Sequence, residues 1–350
     1  EFFCSEMPDQ VAAQAYLNVL RAAAKLDDNP ESQRDLVISP AGKETSFTVI
    51  APRSFAYLRP LAGLQTTQLL DQLTKADVGE LRSAAKSGSS LLISSDGRTF
   101  VLKTISKAEV HSLRLILPAY RRHLEEHPNS LLCRIYGCFS FQNALGYFVH
   151  AILMDCLSSM PLGVSQLSNL AKVSSTKIFD IKSEFQDAGF LGHLPAGLRL
   201  ADGLREAFHE ECLAKDLEFL SSAGLVDYSV LLTLWEVAEE PETKVFGLSE
   251  GALGCCLAHC ETSQAASPSR RKDFKSALLP HVPRSFVLRA GIIDFLVHWD
   301  ARKKTESALK RTLLHPRHSE KVTIMDPVSY AQRQMAFFQS KVFPARGSAP

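Results

Sequence analysis

The stretch Ser90-Leu91-Leu92-Ile93-Ser94-Ser95-Asp96-Gly97-Arg98-Thr99-Phe100-Val101-Leu102-Lys103-Thr104-Ile105 decides the reading of the fold. Two apolar runs, Ser90 to Ser95 and Thr99 to Ile105, flank Asp96-Gly97, and that dipeptide between strand-like runs specifies a tight β-hairpin. Directly afterwards Val110, Leu113, Leu117, Tyr120 and Leu124 recur three and four apart, which predicts a helix with one apolar stripe. Further strands are expected at Leu132 to Phe141 and Tyr147 to Met154. Upstream, Val11 to Leu26 has helical spacing and runs into an Asp/Asn/Pro/Ser/Gly-rich stretch. Phe47 to Ala51 reads as a short strand, and Pro52 to Leu64 as a turn and short helix. The first half is thus an antiparallel sheet carrying one long helix.

The second half opens with Ser/Gly/Asn-rich Ser158 to Ser175, followed by a strand around Lys177 to Lys182. Leu204 to Ala223 is predicted as a helix stopped by Gly224. Tyr228 to Val237 and Phe286 to Trp299 read as buried strands, the latter carrying one acid. Glu261 to Arg271 lacks apolar periodicity and reads as part of an insertion over about 249–285. Residues Asp300 to Lys321 are charged and irregular, and Pro327 to Phe343 form a terminal helix anchored by Tyr330, Met335, Phe337 and Phe338. The class expected is α+β, with antiparallel sheets and packed helices. Residues 1–43 form an N-terminal helix and linker, 44–155 one lobe, and 156–350 a second.

Composition agrees with a folded chain. Of 350 residues 45% are hydrophobic and 22% charged, enough to bury a sizeable core. Basic and acidic residues number 39 and 38, so no global field calls for a nucleic acid, and none is expected as a partner. Apolar runs such as Tyr147 to Leu153 are far shorter than the ~18 to 20 residues of a membrane helix. No signal-peptide core is present at the start. The chain begins at Glu1 rather than Met, as expected of a domain cut from a longer protein. The eight Cys are read as reduced thiols of a cytoplasmic protein. Cys255, Cys256, His259 and Cys260 have metal-ligand chemistry without the paired spacing of a zinc site.

Three local patterns carry chemistry. Lys86-Ser87-Gly88-Ser89-Ser90 is a small-residue turn before the hairpin, where backbone N–H groups can approach an anion. Lys103 lies among strand apolars and is costly to bury unpaired, while Glu109 at the start of the next helix can pair with it or face solvent. A phosphate turn, a strand Lys and a helix Glu make up a kinase-type nucleotide arrangement. Asp227, in Gly224-Leu225-Val226-Asp227-Tyr228, and Asp294, in Gly291-Ile292-Ile293-Asp294-Phe295, are acids in apolar surroundings. Such a carboxylate needs a cation or hydrogen bonds to compensate its desolvation. Beside a nucleotide site, the pair suits one metal ligand and one hydroxyl-orienting acid.

These residues resemble the phosphatidylinositol phosphate kinase family from about Phe47 to Phe343. Phe47, Pro52, Phe55, Leu58-Arg59 and Gly63 are similar to its entry motif. Lys86-Ser87-Gly88-Ser89 is similar to its Gly-Lys-Ser-Gly-Ser loop, Phe100 to Ile105 to its Phe-Ile-Ile-Lys-Thr-Ile strand, and Leu117-Pro118-Ala119-Tyr120 to its Leu-Pro-x-Tyr helix. Phe179-Asp180-Ile181-Lys182 resembles its Asp-Leu-Lys-Gly-Ser segment. Leu225 to Leu232 resembles its Ile-Met-Asp-Tyr-Ser-Leu-Leu, Gly291 to Leu296 its Gly-Ile-Ile-Asp, and Asp326-Pro327-x-x-Tyr330-x-x-Arg333 its closing motif. The order and spacing of the matches make the likeness specific.

The resemblance implies a two-lobed kinase-like fold and transfer of the ATP γ-phosphoryl group, with Mg2+ as cofactor, to a phosphoinositide lipid. On it, Ser87, Gly88, Ser89, Lys103 and Met154 bind ATP. Lys182 faces the transferred phosphate, Asp227 is the catalytic acid that positions the inositol hydroxyl, and Asp294 is the metal ligand. Residues 300–321 become the activation loop, with Lys303, Lys304, Glu306, Lys310 and Arg311 meeting lipid and membrane. Seven basic residues there face three acids, and each basic group near an anionic leaflet is worth about 1 kcal/mol. Peripheral binding at the inner face of the plasma membrane or endomembranes follows, and a homodimer is compatible with it. Glu306 follows Lys303-Lys304 at the spacing of the 5-kinase branch, which favours phosphatidylinositol 4-phosphate as substrate. A phosphatidylinositol 3-phosphate 5-kinase and a catalytically weak lipid-binding scaffold on the same fold are the alternatives. Three positions depart from the family: Ser183 replaces Gly after Lys182, Met154-Asp155-Cys156 replaces Met-Asn-Asn, and Gln334 replaces the closing Phe.

Overall fold

The computed structural model describes residues 35–38, 47–75, 77–80, 90–95, 98–142, 148–159, 173–182, 188–194, 196–200, 203–237, 255–260, 284–301, 303–306 and 325–345. The expected helix over 11–26, the phosphate turn 86–89, the hairpin tip 96–97 and the stretch 261–271 lie outside these residues.

The quoted hairpin forms as β4 (Ser90–Ser95) and β5 (Arg98–Ile105), with Ser94 opposite Thr99 and Ile93 opposite Phe100. It belongs to a seven-stranded sheet with β1 (Leu36–Ile38), β2 (Phe47–Ile50), β3 (Asp77–Glu80), β6 (Ile135–Gln142) and β7 (Phe148–Asp155). The order is β1-β2-β6-β7-β5-β4-β3, and each pairing is antiparallel. Helices α1 (Pro52–Leu61) and α2 (Thr66–Lys75) lie between β2 and β3. Helix α3 (Lys107–Glu126) begins at a capping box: the Ser106 hydroxyl accepts from the Glu109 N–H, and the Glu109 carboxylate accepts from the Ser106 N–H. Its stripe of Val110, Leu113, Leu117, Tyr120 and Leu124 is buried.

A second, five-stranded antiparallel sheet has the order β8-β11-β13-β12-β9. Its strands are β8 (Val173–Ile181), β9 (Arg199–Leu200), β11 (Ser229–Val237), β12 (Cys255–Cys260) and β13 (Arg284–Ile293). Two short strands, β10 (Leu225–Val226) and β14 (Val297–His298), pair beside it. Helix α4 (Ala188–His193) follows β8. Helix α5 starts at Leu204–Glu206, passes through a π-helical segment, Ala207–Leu213, and finishes as Ala214–Ser222. Gly224, at φ 70°, turns the chain out of it. Helix α6 (Pro327–Phe337) closes the described chain and ends in a π-helical turn, Phe338–Val342.

Two expectations are corrected. Within the stretch 249–285, read as an insertion, Cys255–Cys260 is a strand bonded to β13 on one side and β9 on the other. The run Phe286 to Trp299 is not one strand. It breaks at Asp294, whose φ of 62° cannot continue a β ladder.

The two sheets share one core that runs from Phe55, Leu113 and Tyr120 to Leu220, Val230 and Phe338. Backbone bonds stitch them together: Cys133 N–H donates to Ile292 O, and Ile292 N–H donates to Leu131 O. The connecting turn 155–159 is held by Arg289 of β13, whose guanidinium bonds Asp155 Oδ2 at 2.5 Å and the carbonyls of Cys156 and Ser159 at 2.8 and 2.9 Å. Leu157 lies on Gly291 so closely that a Cβ there would clash with Leu157 Cδ1. Buried Asp216 of α5 accepts from Ser130 Oγ and Leu131 N–H and bonds His123 Nε2, each at 2.6 Å, which fastens the end of α3 to the second sheet's helices.

Candidate active site

Strand register sets the site. Ile181 stands opposite Val230, and Ser229 opposite Ile293. Lys182, Asp227 and Asp294 therefore leave the same end of three adjacent strands, β8, β11 and β13. Beyond the acids, the chain re-pairs as β10 and β14, Val226 opposite Val297. Each Asp is the corner where the backbone passes from the large sheet to the small one. Both corners are left-handed, with φ of 66° at Asp227 and 62° at Asp294. Asp tolerates this region better than most side chains, and such strain concentrates where a side chain must be aimed.

Lys103 of β5 reaches across from the first sheet. Its Nζ donates to Asp294 Oδ1, and both side chains are mostly screened from solvent. Around this pair is a cleft whose charged rim is Lys103, Glu109 and Asp294, and whose walls include Cys133, Ile135, Ile152, Met154 and Leu296. The apolar side chains suit a flat ring, and the charged groups suit phosphates. Burial pushes the Cys133 thiol well above its ordinary range, so it stays protonated and acts as an apolar wall. Glu109 does not pair with Lys103. Its carboxylate is committed to the capping box, and Asp294 takes the role of counter-ion.

Asp227 sits between two lysines. Lys182 Nζ is 3.9 Å from Oδ1, and Lys303 Nζ donates to Oδ2 at 3.3 Å. Lys303 also lies 3.5 Å from Glu306 Oε2, and its side chain is only 22% exposed. Asp300 Oδ1 accepts from the Lys303 N–H at 2.9 Å, and this small cap turns the start of the segment inward. Supports come from α6: the Tyr330 hydroxyl donates to Tyr228 O, and Gln334 Nε2 to Lys182 O, each at 2.5 Å.

Residues 72–341 match the family model described as Phosphatidylinositol-4-phosphate 5-Kinase. The chain belongs to that family. It is 26% identical over 321 residues to phosphatidylinositol 4-phosphate 5-kinase type-1 beta of Mus musculus, covering 85% of this chain and 58% of that protein. To the type-1 alpha protein of Homo sapiens it is 27% identical over 320 residues, covering 85% and 56%. A probable phosphatidylinositol phosphate kinase of Dictyostelium discoideum is 30% identical over 200 residues, covering 53% and 27%. The chain spans little more than half the length of the first two relatives.

Set on this phosphatidylinositol-4-phosphate 5-kinase family chain, the expected site residues divide into four groups. Lys103, Met154 and Asp294 line one cleft, while Lys182, Asp227, Lys303 and Glu306 form a charged chain at the adjoining strand ends. Lys303, expected to meet lipid and membrane, is held by Asp227 and Glu306. Lys304 is exposed. Ser87, Gly88, Ser89, Lys310 and Arg311 lie outside the described residues. Sequence reading did not find Cys133, whose thiol carries no motif, nor the supporting hydrogen bonds of Tyr330 and Gln334. Among the described residues no helix is long and apolar enough to cross a membrane.

Proposed function

We propose that the chain is the catalytic part of a lipid kinase that moves the γ-phosphoryl group of ATP to the inositol ring of phosphatidylinositol 4-phosphate, giving phosphatidylinositol 4,5-bisphosphate. The observation that carries this reading is the Lys103–Asp294 pair inside an apolar cleft, with Asp227 at the end of the neighbouring strand. In a two-lobed kinase-like arrangement the adenine packs against Met154 and Cys133, and Lys103 binds the phosphates. Lys182 and Lys303 flank the position of the moving phosphoryl group, and Asp227 orients the accepting hydroxyl. Phosphoryl transfer asks little else of a protein than such positioning and charge neutralisation.

Magnesium fits the donors present. Asp294 offers a carboxylate oxygen at the cleft rim, and Mg2+ is usually held by one or two carboxylates together with the substrate phosphates. The ion would neutralise charge on those phosphates, and Lys103 would then exchange its carboxylate partner for a phosphate. Exposed Lys304 and the basic stretch after it supply attraction to an anionic membrane, where the protein acts peripherally.

Transfer of labelled phosphate to each monophosphorylated phosphoinositide in turn tests the proposal. Phosphatidylinositol 4-phosphate is the expected acceptor, Asp294→Ala abolishes transfer in a folded protein, and Asp227→Asn abolishes it while MgATP still raises the melting temperature. An undiminished rate in Asp294→Ala removes that residue from the mechanism. A chain that binds vesicles but is neither stabilised by MgATP nor active on any lipid is a scaffold.

A further inference from the structure

Helix α6 reaches the backbone beside Lys182 through Gln334. The carbonyl of Lys182 belongs to the peptide that joins Lys182 to Ser183. That carbonyl is the acceptor for Gln334 Nε2, at 2.5 Å. Gln334 is 1% exposed, and among the described residues its Oε1 has no hydrogen-bond partner. A half-satisfied amide in a core is destabilising, so a Phe or Met there would pack at less cost unless the amide does something an apolar group cannot. What it does is fix a peptide plane. Tyr330, one turn earlier on the same buried face of α6, does the same for the next strand through Tyr228 O, at 2.5 Å. One helix thus grips the backbone beside both Lys182 and Asp227.

We propose that Gln334 is a positioning residue for Lys182, and that its side-chain hydrogen bond fixes the orientation of the peptide that follows this lysine. The amide holds it in one orientation, and Lys182 Nζ is thereby kept at Asp227, 3.4 Å from its carbonyl oxygen and 3.9 Å from Oδ1. The inference rests on the lipid-kinase reading for its catalytic consequence but not for its geometry.

Gln334→Met keeps length and apolar volume while removing the donor. In transfer to phosphatidylinositol 4-phosphate vesicles it lowers kcat about tenfold and leaves KM for ATP unchanged, as misplacement of a single group at the reacting centre does. Gln334→Phe, which also lacks the donor, behaves alike. A kcat for Gln334→Met within about twofold of the unmodified chain overturns the proposal. So does a loss of rate that tracks lowered melting temperature and disappears on cooling. Should the unmodified chain phosphorylate no phosphoinositide, the functional reading falls and the positioning claim is read by lysine acylation. Lys182 then labels faster in Gln334→Met relative to exposed Lys215 of the same molecule, and an unchanged ratio refutes it.

Discussion

Asp227 shares its carboxylate between Lys182 on one side and Lys303 on the other, and Lys303 in turn reaches Glu306. Neighbouring lysines in the sequence are therefore assigned different work. Lys303 faces the acid, and Lys304 faces solvent. Lys303→Ala is expected to lower lipid phosphorylation about tenfold, the scale of losing one positioned charge at a reacting centre, without altering vesicle binding. Lys304→Ala is expected to weaken vesicle binding about fivefold at low salt, given about 1 kcal/mol per basic residue near an anionic leaflet, with the difference shrinking as salt is added. Co-sedimentation with anionic vesicles beside a transfer assay separates the two. Equal effects of both variants in both assays would refute the division. The acids at 227 and 294 were legible because a carboxylate among aliphatic residues demands compensation. The partner of Lys303 was not, because 76 positions separate it from Asp227 and only the fold brings them together.

Helix α6 shows how an element's end can be tuned. Asp326 is its N-cap, with Oδ1 accepting from the Ser329 N–H at 3.0 Å. Hydrogen bonds from Ser329, side chain first and backbone second, hold the Asp326 carboxyl below the usual Asp range. The folded chain thus binds that proton less readily than the unfolded chain, so the contribution is complete above the ordinary Asp value and is lost as pH falls through the lowered folded one. Asp326→Ala should cost about 1 kcal/mol at neutral pH, and the gap to the unmodified chain should close in strong acid. Denaturant midpoints at the two pH values check this, and a pH-independent gap would mean the carboxylate is not the capping group. Elements with a strong internal period, such as β4, β5 and α3, were readable from sequence. Helix α2, Thr-Thr-Gln-Leu-Leu-Asp-Gln-Leu-Thr-Lys over Thr66–Lys75, was not, since Leu69 and Leu73 are its only fully buried apolar residues and two leucines do not make a stripe. Strand β12 was hidden by its Cys content and its Ser-, Pro- and Ala-rich neighbours. It is a strand because β13 and β9 pair with it, which is a property of the sheet and not of the segment.

For the molecule as a whole, the Asp155–Arg289 pair joins the two sheets. Arg289 is 4% exposed and satisfies the carboxylate and two carbonyls of the connecting turn at once. The charge of Asp155 is thus spent on β13. Arg289→Leu leaves a buried carboxylate without its cation and should cost about 3 to 5 kcal/mol. Asp155→Asn should cost less than half of that, because an amide oxygen and both carbonyls still accept from the guanidinium. Chemical denaturation of the two variants decides, and a harmless Arg289→Leu would show that the turn is held by packing alone. The split into two sheets was foreseeable from the polar stretch after Leu157, whereas this pairing across 134 positions was not.

Leu157 seated on Gly291, together with the backbone bonds that Ile292 makes to Leu131 and Cys133, places a close junction of the two sheets a few residues from Asp294. If one sheet rocks against the other, that junction is the fulcrum. Asp294 then stays close to the axis of rotation, while Lys103, carried on the opposite sheet, sweeps an arc. Widening the crevice to admit a ligand is accordingly felt by the lysine as travel and by the aspartate as little more than a change of company.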